Sequence, residues 1–200
     1  MYFATISNEG DREQKMSEHE HSMEDWSSFS ADMQNLYGID MSPLTPAYKV
    51  EQSDYYIYSG LWTELRPEHV VGQPVVVKHL DLNTCTMADS LGVSRVPYSV
   101  SIPFPTRVSG FAGWFTVDFA GSAGSPAQKR IILSTGPEAG YTHWGQQVFY
   151  LKDAVDCTPE TTIKGFMELV RQDKNKRLYN LLLDVAVDDG KSQHFKYEIL

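Results

Sequence analysis

Thr142, His143 and Trp144 stand in a row, and the residues behind them, Gly145-Gln146-Gln147-Val148-Phe149-Tyr150-Leu151, open an alternation typical of a strand. Imidazole both donates and accepts a proton near neutral pH. Indole offers a flat apolar face with a single N–H donor, and a threonine hydroxyl fixes turns. From these three residues alone, chemistry and plain packing both stay open, because a histidine beside a tryptophan at a strand start is also a common way of filling space. The remaining histidines, His19, His21, His69, His79 and His194, have no metal-ligand spacing to carboxylates or thiols. Cys85 and Cys157 are too few and too far apart for a disulfide framework or a C-x-x-C site. The expectation is no metal and reduced thiols.

Period-two alternation predicts the elements that position the turn. Tyr98, Val100, Ile102 and Phe104 share one face of a strand. Phe111, Phe115, Val117 and Phe119 share a face of the next, with Trp114, Thr116 and Asp118 opposite and Trp114 expected in the core. Further strands are expected at 130–134, 147–152, 162–170, 177–187 and 193–199. Between the last two, Asp188-Asp189-Gly190-Lys191 reads as a tight hairpin with Gly190 taking the positive φ, so these strands pair antiparallel. Many short strands separated by turns make the chain mainly β, a barrel or sandwich. Trp62 lies in the aromatic-rich stretch from Tyr55, either a strand or an exposed patch.

From Asp11 to Met33 the alternation stops. The segment has no proline and is rich in Glu, Asp, Lys, Met, Ser and His, which suits a helix or a solvated excursion. Trp26, Phe29 and Met33 recur at spacings of three and four, a short stripe on one helical face. It packs either on this domain's own sheet or on a second subunit. The 200 residues hold 42% hydrophobic and 22% charged side chains, ordinary for a globular domain. A net charge of −9 argues against nucleic-acid binding and suits a cationic partner. No apolar run is long enough for a membrane span and no signal peptide is visible, so a nuclear or cytoplasmic location is expected.

The turn, with Leu36-Tyr37-Gly38-Ile39-Asp40-Met41-Ser42, Gly110-Phe111-Ala112-Gly113-Trp114-Phe115-Thr116-Val117-Asp118-Phe119 and Leu133-Ser134-Thr135-Gly136-Pro137 in the same order, resembles the C-terminal half of protein arginine methyltransferases. The resemblance implies an antiparallel β-barrel over 1–200, with a helical dimerisation arm inserted at 11–45. That arm, through Trp26, Phe29 and Met33, reaches a second copy in a head-to-tail homodimer. It implies that S-adenosylmethionine is bound by an N-terminal domain absent from this chain, which has no acidic-Gly-x-Gly-x-Gly loop and no paired loop glutamates. His143 is then expected to pair with an acidic residue of that domain, Trp144 to wall the target arginine, and Thr142 to hold the turn. Thr-His-Trp points to the type I class, making monomethyl and asymmetric dimethylarginine in proteins, where the symmetric class resembles Phe-Ser-Trp. Two other readings stand beside it: a catalytically inactive family member that regulates a partner, and a small-molecule barrel of lipocalin type. The lipocalin reading is disfavoured by the turn and by the lack of an even up-and-down repeat.

Overall fold

A computed structural model describes residues 1–199. The chain opens with strand β1 (Tyr2–Ile6), leaves through helices α1 (Glu9–Tyr37) and α2 (Thr45–Tyr56), and returns as β2 (Ser59–Thr63) and β3 (Val70–Val76). Then follow β4 (Gly92–Ser101), β5 (Thr106–Trp114), β6 (Thr116–Ser122), β7 (Ser125–Ser134), β8 (Gln146–Cys157), β9 (Thr162–Arg171), β10 (Tyr179–Val187) and β11 (Gln193–Ile199). Nine strands form one curved sheet in the order β3-β1-β5-β8-β2-β11-β10-β9-β4. The fold is mainly β and nearly a closed barrel. At the seam between β3 and β4, Gly72 is left-handed at φ 73°, and a Cβ there would lie 2.6 Å from Val100 Cγ1 and 2.9 Å from the Ser101 carbonyl. Glycine is what lets the two end strands approach so closely.

Phe3, Phe111, Phe149, Leu151, Ile163, Leu181, Leu183 and Tyr197 fill the barrel, each almost wholly buried. Tyr197 is tolerated there because its hydroxyl donates to the Tyr150 carbonyl at 3.0 Å. A second cluster lies on the other face of β1, β5 and β8, where Ala4, Ile6, Ala112, Trp114, Val148 and Tyr150 pack beneath Leu65. Four successive β8 residues, Val148 to Leu151, are therefore buried, with Phe149 and Leu151 in one cluster and Val148 and Tyr150 in the other. Trp114 is in the core.

Several details differ from the sequence reading. The single strand expected through Phe111 and Phe119 is two, broken at Phe115, where both backbone groups are taken by Thr135: the Phe115 N–H donates to Thr135 Oγ1 at 3.2 Å and its carbonyl accepts from the Thr135 N–H at 3.0 Å. Beyond the break, β6 and β7 form their own two-stranded sheet, leaving Phe119 exposed. Phe104 falls after β4 ends and is also exposed. In the β10–β11 hairpin the left-handed residue is Asp188 (φ 50°), not Gly190. Its carboxylate accepts the Thr162 N–H at 2.7 Å, and a short polar side chain tolerates that backbone region. One pairing is parallel, β2 with β11, because the helical excursion brings β2 back beside the chain's last strand.

The excursion itself is two helices spanning Glu9 to Tyr56, longer than the 11–45 segment expected. α1 has 29 residues and so extends about 43 Å. It ends at Gly38 (φ 65°), whose N–H bonds the Gln34 carbonyl while the Ile39 N–H bonds that of Met33, a glycine cap that closes the helix. Pro43 and Pro46, each within the first two positions of the Ser42–Leu44 turn and of α2, then start the return.

Candidate functional site

The Thr142-His143-Trp144 turn sits at the rim of the barrel, immediately before β8. Its backbone closes when the Gly145 N–H reaches back to Thr142, meeting the carbonyl at 3.2 Å and the hydroxyl at 3.3 Å. Gly145 is left-handed (φ 51°), a conformation in which glycine carries no Cβ penalty. His143 and Trp144 are exposed, their rings 6.2 Å apart and nearly perpendicular, and Trp144 also meets the ring of Phe115 edge-on at 6.0 Å. Among the described residues His143 has no side-chain hydrogen-bond partner.

What the turn presents is exposed, and what holds it is buried. Gln146, only 2% exposed, accepts the Leu65 N–H at 2.7 Å through Oε1 and donates to the Thr135 carbonyl at 2.8 Å through Nε2. A buried amide with both ends paired is a rigid tie, since losing either partner leaves a desolvated polar group. Thr135, fully buried, is in turn bound to Phe115, which touches Trp144. The connection from β7 is braced as well, Ser134 Oγ donating to Glu138 at 2.7 Å and accepting the Gly136 N–H at 3.1 Å. The turn is thus fastened at once to the segments that follow β2, β5 and β7. Neither Gln146 nor Thr135 stands out in the sequence, where each reads as an ordinary polar residue of a loop or strand end. Trp62 proves to be both things the sequence left open, a β2 residue paired with Gln147 and about half exposed.

Trp26, Phe29 and Met33 do not join this site. They lie on α1, and their stripe is divided. Trp26 stacks on Tyr48 of α2 at 4.4 Å and donates to Thr45 Oγ1 at 2.9 Å, so it holds the two helices together, an arrangement the sequence reading did not include. Phe29 is 47% exposed and Met33 half-buried. With Leu36, Tyr37, Ile39 and Leu44, also exposed, Phe29 gives the far end of the excursion an apolar surface.

The near end is rooted in the barrel. Arg12, the one buried residue of α1, donates to the Lys152 carbonyl at 2.8 Å and pairs with Glu9, which also pairs with Arg107 of β5. Asn8 donates to Asp11 and to the Tyr150 hydroxyl, and Tyr150 donates to Asp11 at 3.3 Å. Burial, reinforced by the Asp11 carboxylate, pushes the Tyr150 phenol above its ordinary value, so it remains a neutral donor. His19, by contrast, sits against Ser53 and Tyr56, and burial followed by the nearby Lys152 pulls its pKa down.

The two glycine-bearing stretches singled out in the sequence lie in hairpin and turn positions. Gly121 lies within β6 and Gly124 in the hairpin turn, while Gly136 and Gly140 flank a one-turn helix at Pro137–Ala139. Among the described residues no group of His, Cys, Asp and Glu could hold a metal ion, and no helix is long and apolar enough to cross a membrane.

Comparison with known proteins agrees with this architecture. Residues 11–190 match the family described as the arginine methyltransferase oligomerization subdomain. Protein arginine N-methyltransferase PRMT10 of Oryza sativa subsp. japonica is 38% identical over 173 residues, 84% of this chain and 45% of its own length. The PRMT10 protein of Arabidopsis thaliana is 35% identical over 192 residues, covering 95% of this chain and 50% of its own. A crystal structure of Arabidopsis thaliana protein arginine methyltransferase 10, described as a uniquely open conformation, superposes with a TM-score of 0.91 at 30% identity, covering 99% of this chain and 58% of that one. The chain spans about half the length of the curated relatives it matches.

Proposed function

Because the chain belongs to the protein arginine methyltransferase family, we propose that it is the C-terminal, substrate-binding and dimerisation part of a type I enzyme. Such an enzyme transfers methyl groups from S-adenosylmethionine to arginine side chains of proteins. The observation that carries this reading is the exposed His143 and Trp144 on a turn fastened through buried Gln146. A guanidinium is planar and permanently charged, so its methylation needs carboxylates to localise charge and a rigid wall to aim one nitrogen. Trp144 is that wall. His143 pairs with a carboxylate of the cofactor-binding region, for which its unpartnered ring is suited, and Thr142 closes the turn that presents both.

S-adenosylmethionine is held by the cofactor-binding region outside these residues, and the turn and the helical excursion act on the arginine substrate and on the second copy. The chain by itself neither binds S-adenosylmethionine nor transfers a methyl group. The apolar far end of the helical excursion, with Phe29, Leu36 and Ile39 exposed, docks on the cofactor-binding region of a second copy and makes a homodimer.

The test is His143→Ala in the protein that carries the cofactor-binding region. kcat toward an arginine peptide is expected to fall about ten- to a thousandfold, with S-adenosylmethionine affinity by calorimetry nearly unchanged. An unchanged kcat would make His143 a surface residue and remove the basis of this reading.

A further inference from the structure

Trp62 precedes the Thr-His-Trp turn by eighty positions, and it is strand pairing that brings it there: Trp62 on β2 stands opposite Gln147 on β8, three residues after Trp144. Its indole lies on Gly145. A Cβ at Gly145 would be 2.5 Å from Trp62 Nε1 and 2.6 Å from Cε2, so the ring occupies the volume any larger residue would need. The same glycine is left-handed and its N–H closes the turn on Thr142. Two independent demands therefore meet at one residue, a backbone conformation and a surrendered side-chain volume. Core burial does not explain the ring, because Trp62 is 51% exposed, close to the 52% of Trp144.

We propose that Trp62 is a positioning residue that clamps Gly145 from the solvent side, as Gln146 ties the turn from the buried side, and so sets the direction in which His143 and Trp144 leave the rim. The structural half of this proposal stands on packing alone. The functional half rests on the reading of the turn as an active-site wall.

Amide hydrogen exchange in the 200-residue chain tests the clamp. Trp62→Ala is expected to speed exchange of the Gly145 N–H at least about tenfold, and Trp62→Phe, which leaves a flat ring over the glycine, less than about threefold. Gly145→Ala puts a methyl group into the ring and is expected to lower the unfolding midpoint. Its effect should shrink when combined with Trp62→Ala, since the collision leaves with the indole and only backbone strain remains. Unchanged Gly145 exchange, or strictly additive effects of the pair, overturns the clamp; if the alanine variant does not fold, Trp62→Val repeats the measurement. In the protein with its cofactor-binding region, Trp62→Ala should lower kcat about tenfold with KM for S-adenosylmethionine unchanged, and Trp62→Phe should restore most of it. Faster exchange with an unchanged kcat overturns the positioning claim. A silent His143→Ala alongside faster exchange in Trp62→Ala would instead overturn the proposed function and leave the clamp standing.

Discussion

The barrel and the helical excursion follow opposite rules of construction. Residues 1–56 contain three Lys and Arg against eleven Asp and Glu, while the rest of the chain contains fourteen against fifteen. Eight of the nine net negative charges therefore lie before Ile57, all of them on or between the helices. Burial runs the other way, with both hydrophobic clusters in the barrel, Arg12 as the one buried residue of α1, and none in α2. The barrel is stabilised by removing apolar surface from water. The excursion is held by its polar root at Arg12 and by the Trp26–Tyr48 stack, and it keeps Phe29, Leu36, Tyr37, Ile39 and Leu44 exposed. The long helix keeps an apolar tip in water, whereas the Thr-His-Trp turn is fastened by buried, fully paired groups.

If this division is right, the largest effect comes from removing the excursion. Replacing residues 14–54 by a Gly-Ser linker, which keeps Arg12 in place, should, under the proposed function, convert the protein with its cofactor-binding region from dimer to monomer in sedimentation while the barrel still melts cooperatively. A collapse of the melt would show that the helices belong to the barrel's own stability. Next is the core: Phe111→Ala, at a wholly buried position stacked on Phe3 at 5.2 Å, should cost about 3–5 kcal/mol in denaturant unfolding. Smaller but more local is Gln146→Ala, which strands the Leu65 N–H and the Thr135 carbonyl. It should cost about 1–3 kcal/mol and loosen the turn, seen as faster amide exchange at Leu65 and Gly145.

The smallest effect tests charge on the barrel surface. Asp184 on β10 accepts from His194 at 2.5 Å and from Arg95 at 2.6 Å, and the His194 hydrogen bond, ahead of the Arg95 one, holds its carboxyl below the usual range. A depressed carboxyl stabilises the fold above its unfolded pKa, near 3.9, and the contribution is lost as pH falls through the lower folded value. Asp184→Asn should therefore lower stability by less than about 1 kcal/mol at neutral pH, a modest figure because the pair is open to solvent. Stability curves of the two forms should converge as pH falls through the lowered folded-state value of Asp184. A difference that persists unchanged in acid would assign the residue a packing role instead.

Elements with strong, one-sided periodicity were readable in advance, and those set by their neighbours were not. The strands at β9, β10 and β11 agree with the alternation to within two residues. β1 and β3 carry no clear signal and β2 only an ambiguous one, because each is five to seven residues long and draws its order from pairing with distant partners. α2 was missed for a related reason: its helix makes sense only against Trp26, which supplies the surface for Tyr48. At the site, Thr142, His143 and Trp144 stood out by type and spacing. Gln146, Thr135 and Trp62 did not, since an amide, a hydroxyl and an indole become a clamp only when β2, β5, β7 and β8 converge.

The sequence by itself determined the mainly β character, the polar helical interruption, the candidate turn and the family resemblance, because all of these are written in local periodicity and contiguous motifs. The tertiary structure alone decided that the long strand breaks at Phe115, that Trp26 turns inward to α2 while Phe29 stays exposed, and that the turn is held by residues as distant in sequence as Trp62. The reason is common to all three. Each depends on which groups are left without a partner once the sheet has closed, and that is a property of the assembled fold, where hydrogen bonds and van der Waals contacts join residues a hundred positions apart.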